Sequence, residues 1–165
     1  MRLSALLLFI TYCSAQTSTV PQKLGEDAKV RFTIATRNSQ VKVGEPLWVT
    51  TELMNVSSEV VKICETNPEY QYQVEVKTVD HKPVPLSRRG EEVRAEEYPI
   101  TVSKWCTDTL PGKKVLNHLD VARLYELQPG TIEIKMTRTT LGKYGHDRQT
   151  PFTSSSNTLT VVVTP

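Results

Sequence analysis

Period-two alternation, cut into short runs by turn residues, is the feature that most constrains this chain. A β-strand sends successive side chains to opposite faces, so apolar residues alternating with polar ones describe a half-buried strand. Val30, Phe32 and Ile34 alternate with Arg31, Thr33 and Ala35. Leu47, Val49 and Leu53 share one face of a run that continues to Asn55, and VVKICE follows at residues 60–65. Tyr72, Val74 and Val76 alternate with Gln73, Glu75 and Lys77. Ile132, Ile134 and Met136 do the same with Glu133 and Lys135, and Leu159, Val161 and Val163 line one face of the last run. Ile100 to Cys106 is also strand-like, and Val115 to His118 is expected to pair briefly.

Between these runs lie turn signals: Val43-Gly44-Glu45-Pro46, Asp80-His81-Lys82-Pro83, Leu110-Pro111-Gly112-Lys113 and Gln128-Pro129-Gly130. A single helical turn is expected after Asp120, whose carboxylate can cap it. Val121, Leu124, Tyr125 and Leu127 follow at helical spacing. Short strands at a spacing of about 8–12 residues, without alternating helices, predict an all-β fold. The expected architecture is an immunoglobulin-like antiparallel β-sandwich of seven or eight strands with one short helical turn. Closure into a barrel stays open, because period and spacing do not distinguish it. Two stretches are expected as loops: the charged run from Arg88 to Glu97 and the long polar stretch from Thr139 to Asn157.

The first fifteen residues, MRLSALLLFITYCSA, fall outside this pattern. Arg2 precedes an apolar run from Leu3 to Ile10, and small residues follow at Ser14 and Ala15, as in a signal peptide cut after Ala15. The run is well short of the ~20 residues that span a bilayer, and no second run approaches that length. Lipid attachment at Cys13 is the rival reading. It is disfavoured because Tyr12 stands where a small residue is wanted. Three segments result: a signal peptide at 1–15, a flexible lead-in at 16–28 and the sandwich at 29–165. Localisation is therefore expected to be secreted or periplasmic.

That compartment bears on the cysteines. With Cys13 removed, Cys64 and Cys106 remain in an oxidising setting, where pairing is the simplest outcome. Their separation would contribute roughly 4 kcal/mol by the chain-entropy model. They are too far apart in sequence for a Cys-x-x-Cys redox site. The formal net charge of +2 comes from basic and acidic residues in similar number, scattered along the chain, which leaves no footprint for nucleic acid.

Four stretches carry a resemblance. They are Val43-Gly44-Glu45-Pro46-Leu47-Trp48-Val49 with Asn55, Leu124-Tyr125-Glu126-Leu127 before Pro129-Gly130, Ser156-Asn157-Thr158-Leu159, and the Val161-Val162-Val163 run after it. Together they resemble uncharacterised bacterial secreted proteins with immunoglobulin-like sandwiches. In those proteins a VGEP opener precedes a strand ending in Asn, a Y-x-L-x-P-G turn leads into the penultimate strand, and SN-T leads into the last. The resemblance covers most of Val30 to Thr164 and implies the fold. It implies no activity, because fold analogy does not supply one. Against fibronectin-like modules, Ile132 stands where a tyrosine would follow the Pro-Gly turn. Against antibody domains, Trp48 has no cysteine beside it, and Trp105 next to Cys106 is only a local echo.

No nucleophile elbow, phosphate loop, dinucleotide fingerprint or zinc-protease helix occurs. The Glu91-Glu92 and Glu96-Glu97 pairs read as surface charge. Asn55-Val56-Ser57 is a glycosylation sequon, but Asn55 is better read as a strand end whose side chain bonds the turn backbone. His81, His118 and His146 show no ligand spacing, so no metal, cofactor or catalytic residue is assigned. The expected function is a non-catalytic module that binds a protein or cell-envelope partner. Tyr144, His146, Arg148 and Phe152 in the long loop are its candidate contacts. Two alternatives stand beside it. One is a proteinase inhibitor presenting Arg88-Arg89 or Lys143-Tyr144, and the other is a metal-dependent activity at converging histidines.

Overall fold

The computed structural model describes residues 29–95, 105–139 and 153–165. The expected signal peptide and lead-in lie outside the described residues. So do Ile100 and the loop positions Tyr144, His146, Arg148 and Phe152. The first described elements are β1 (Val30–Thr36), β2 (Gln40–Lys42), β3 (Trp48–Asn55) and β4 (Val61–Glu65). A short helix α1 (Pro68–Gln71), strand β5 (Tyr72–Thr78) and helix α2 (Arg88–Ala95) follow. Next come β6 (Trp105–Thr109), β7 (Lys114–Asp120) and a 3-10 turn at Val121–Arg123. Strands β8 (Gly130–Thr139), β9 (Thr153–Ser155) and β10 (Leu159–Thr164) complete the order.

The strands form two larger sheets and a ribbon. One sheet has the order β1-β3-β7, and the other runs β2-β10-β8-β5 with β9 added beside β8. The alternating apolar positions all turn inward: Phe32, Val49, Val76, Ile134, Met136 and Val161 are fully or almost fully buried. Phe32 of the first sheet stacks on Tyr72 of the second, with ring centroids 5.4 Å apart. The two inner faces thus share one core, as their alternation requires.

Four expectations need correction. The chain is not purely antiparallel, because β2 runs parallel to β10, with Val41 opposite Val163. The stretch from Thr139 to Asn157 is not loop throughout. Thr153–Ser155 pairs with β8, and Ser156 and Asn157 are buried. The charged run from Arg88 is a helix, not a loop, as far as Ala95. Val115 to His118 belongs to a seven-residue strand that pairs with β3 along its whole length, well beyond a brief contact. The turn after Asp120 forms as expected, with the carboxylate accepting from Ala122 N at 3.1 Å.

Strands β3 and β7 do not end at their ladder. The chain bends at residues 56–60 and again at 110–113, and the same two segments pair once more as the β4–β6 ribbon. Asn55 holds this corner. Its Nδ2 donates to the carbonyls of Glu59 (2.6 Å) and Thr109 (2.8 Å), and its Oδ1 accepts from Ser57 N (2.9 Å) and Ser57 Oγ (2.8 Å). The residue is completely buried, so the sequon amide is committed to the turn and inaccessible in the folded chain. Asn157 has a matching role at the other margin. Its amide both accepts from Ile34 N (2.8 Å) and donates to Ile34 O (3.0 Å), so it satisfies the free edge of β1 in place of a further strand.

Cys64 and Cys106 stand directly opposite each other in the ribbon and are joined by a disulfide. The bond points to an extracytoplasmic location. Beneath it, the buried Arg138 of β8 donates to the Cys64 carbonyl, which ties the ribbon to the second sheet. Among the described residues no helix is long and apolar enough to cross a membrane.

Candidate functional site

Two surface openings, each of about 430 Å³, stand out among the described residues. The first lies where β1, β2 and β3 meet. The VGEP turn builds it. Gly44 takes a positive φ of 84°, which a side chain would resist, and Glu45 N closes the turn on Lys42 O at 3.1 Å. The turn delivers Pro46 and Leu47 to the floor of the cleft beside Val41. Leu47 is buried and pinned on both sides to the end of β7 and the turn after it: its N–H reaches Asp120 Oδ1 at 3.0 Å and its carbonyl accepts from Val121 N at 2.9 Å.

With Leu47 and Val49 inward, strand parity sends Trp48 outward. It is 56% exposed, although it opens a central strand. Thr50 follows on the same face. Its hydroxyl lies 3.1 Å from Nδ1 of His118, directly across the ladder on β7. The third wall is the β1–β2 connection with Arg37 and Asn38. Thr36 shapes it, because its hydroxyl bonds the Trp48 carbonyl at 3.0 Å and the Asn38 carbonyl at 3.2 Å. Neither the Arg37 guanidinium nor the Asn38 carboxamide has a polar partner among the described residues. One pleat further along the face, Glu52 stands opposite the exposed Leu116 and pairs with Lys114 at 2.8 Å.

The second opening lies between α1, α2, the 3-10 turn and the edge of β5. Here the polar groups are matched. Asn67 caps α1 by accepting from Glu69 N at 3.0 Å, with Pro68 at the first helical position. The Glu69 carboxylate receives Arg89 through two bonds, Nε at 2.9 Å and Nη2 at 2.6 Å, and Arg123 approaches its other oxygen at 3.3 Å. Arg89 also donates to Tyr70 Oη and lies over that ring. Ser87 caps α2 by accepting from Gly90 N at 3.1 Å, and it donates to the Arg123 carbonyl. Gly90 sits so close to the 3-10 segment that a Cβ there would fall 2.1 Å from Leu124 O.

Tyr125 closes the inner side of that opening. It is buried, and its hydroxyl donates to the Val74 carbonyl of β5. Burial pushes its phenol above the ordinary range, against an opposing pull from Arg94. Tyr72 is raised for the same reason, although the Thr51 hydroxyl and Arg138 draw it down.

The residues expected from sequence are distributed as follows. Cys64 and Cys106 come together in the disulfide. Arg88 and Arg89 lie on α2, with Arg89 anchored to Glu69, so the pair is not displayed on an extended loop. His81 occupies the turn after β5 with a positive φ of 61°, whereas His118 is on β7. Among the described residues no group of three or more His, Cys, Asp and Glu could hold a metal ion. Trp105 is 53% exposed. Nothing in the sequence marks Arg37 and Asn38 as site residues. Trp48 was legible as an outward side chain from its parity with Leu47 and Val49.

No family model matches the chain, and no curated protein matches it. Among solved structures it distantly resembles part of a β-glucosidase from Listeria innocua. For the complex with isofagomine the TM-score is 0.35 at 15% identity, covering 81% of this chain and 16% of that one. For the complex with glucose the TM-score is 0.33 at 14% identity, covering 78% and 16%. The chain thus spans a small part of that enzyme's length, and a likeness at this level carries neither activity nor ligand across.

Proposed function

We propose that the chain is a secreted, non-catalytic immunoglobulin-like module that binds a protein or a cell-envelope component, and that the Trp48 cleft is its contact surface. The observation that carries this reading is the unmatched chemistry of the cleft. A large aromatic side chain is left bare beside a guanidinium and a carboxamide with no partner among the described residues. Burying an aromatic anchor contributes strongly to association, and convergent polar groups at a concave site give it orientation. The disulfide and the apolar leader both support an oxidising compartment. The expected contacts Tyr144, His146, Arg148 and Phe152 fall outside the described residues, so the cleft carries the reading alone.

Binding to an envelope fraction tests it. Immobilised wild-type protein should retain a specific envelope component, and Trp48→Ala should reduce that retention at least about tenfold, a change of about 1.4 kcal/mol. Equal retention by the variant would remove the cleft from the reading.

A further inference from the structure

We propose that the Trp48 cleft binds a pyranose unit of a glycan, with the indole under the sugar ring and Arg37, Asn38 and His118 bonding its hydroxyls. This rests on the reading of the cleft as the contact surface and names the chemistry of its ligand. A pyranose ring has one weakly polar C–H face and a rim of hydroxyls that both donate and accept. The cleft offers the complement of that pattern. Trp48 supplies one exposed aromatic face whose negative quadrupole attracts C–H groups. Around it stand planar groups with fixed donor and acceptor directions: the guanidinium of Arg37, the carboxamide of Asn38 and the imidazole of His118.

The hydrogen bonding already present sharpens the fit. Thr50 Oγ1 holds His118 Nδ1, which orients the imidazole and leaves Nε2 for a ligand. The Asn38 carboxamide can donate and accept at once, as paired hydroxyls require, and it is not engaged with any described residue. The floor of Val41, Pro46 and Leu47 is apolar and largely backbone-fixed, so the cleft is already formed before binding. Preformed sites avoid the ordering cost that weakens binding by flexible loops.

Other occupants fit less well. A nucleic acid needs several cations along a backbone, and Arg37 is the one permanent cation among the cleft's described lining residues. An apolar peptide segment needs a contiguous apolar patch. Of the other exposed large apolar side chains only Leu116, one pleat from His118, and Val43 in the VGEP turn come near, and neither lines the cleft; Trp105 lies at the far end of the ribbon, and Val60 and Leu110 flank its corner.

Tryptophan emission reads the contact directly. The chain has two tryptophans, so Trp105→Phe leaves Trp48 as the reporter. This protein should be titrated with a soluble β-linked glucan, an α-linked glucan and a chitin oligosaccharide. At least one should change the Trp48 emission saturably, and in parallel calorimetry on the wild-type background Trp48→Ala should weaken that ligand at least about 30-fold. Arg37→Ala and Asn38→Ala should each weaken it about fivefold with unchanged thermal midpoints, as loss of one hydrogen bond predicts. Saturable binding that survives Trp48→Ala would overturn the assignment, as would an unchanged emission across the whole panel. If no glycan binds while envelope retention still depends on Trp48, the saccharide assignment fails and the binding-module reading stands. If retention is also independent of Trp48, both fail.

Discussion

Two openings on this molecule are equal in volume but differ in chemistry. Beside α2, the almost buried carboxylate that lines the opening is matched by neighbouring cations. Glu69 is held by Arg89 and Arg123, Arg89 by Tyr70, and the helix itself by Ser87 and the close approach of Gly90. Around Trp48, the hydrogen bonds belong to the backbone frame and to the Thr50–His118 pair, and the side chains of Arg37 and Asn38 are left without polar partners among the described residues. Equal volumes therefore do not mean equal roles. Internally matched polar groups describe an assembly joint, and unmatched ones over a fixed floor describe a surface awaiting a ligand.

Perturbing the joint should cost stability. The largest effect is expected for Gly90→Ala, because the new methyl meets backbone that cannot rotate away. The helix must shift, for about 3 kcal/mol as an overpacking penalty. A drop in the denaturant midpoint, with envelope retention preserved in the folded fraction, is the expected outcome. An undisturbed midpoint would mean that α2 does not seat where Gly90 places it.

Glu69→Ala should come next, at about 1–2 kcal/mol. The carboxylate is almost buried, yet Arg89 and Arg123 retain access to water, so the loss stays below that of a fully buried pair. Chemical denaturation of the variant checks the value. Retention on the envelope fraction should again be unaffected.

A smaller effect concerns alkaline pH. Tyr72 and Tyr125 are raised by burial in the folded state, so the unfolded chain loses those protons first. Their contribution is complete below about pH 10, the unfolded tyrosine value, and declines as pH rises through the folded values. Stability measured from pH 8 to about pH 11 should therefore fall at the alkaline end, and Tyr72→Phe should flatten that fall. A slope identical in the variant would show that Tyr72 does not ionise later than in the unfolded chain.

Perturbing the cleft should barely register in stability. Trp48→Ala removes an exposed side chain, so its effect is expected within about 0.5 kcal/mol. A larger loss would show that the indole packs as part of the fold, and the contrast between the two openings would collapse.

How far these openings could be read from sequence follows from the range of the interactions involved. Alternation placed Val30, Phe32 and Ile34 inward, and likewise Val74, Val76, Ile132 and Ile134, because strand parity is local. The cap at Asp120 was legible for the same reason. Helix α2 was not, because Val93 is its one large apolar residue facing the body and no apolar stripe marks it. Its determinants are the Ser87 cap and the distant Glu69, of which only the cap could have been seen in the sequence. The parallel pairing of β2 with β10 joins segments from opposite ends of the domain, and nothing local announces it. The same holds for Asn157 reaching Ile34. In the cleft, parity exposed Trp48, but Arg37 and Asn38 meet it only through the fold.

The most direct test compares Trp48→Ala and Glu69→Ala side by side for thermal midpoint and for retention on an envelope fraction. The expected result is a crossed pattern: Trp48→Ala keeps its midpoint and loses retention, while Glu69→Ala loses midpoint and keeps retention. If Trp48→Ala retains the envelope component as wild type does, or if Glu69→Ala loses it while folded, the division between binding cleft and assembly joint is contradicted.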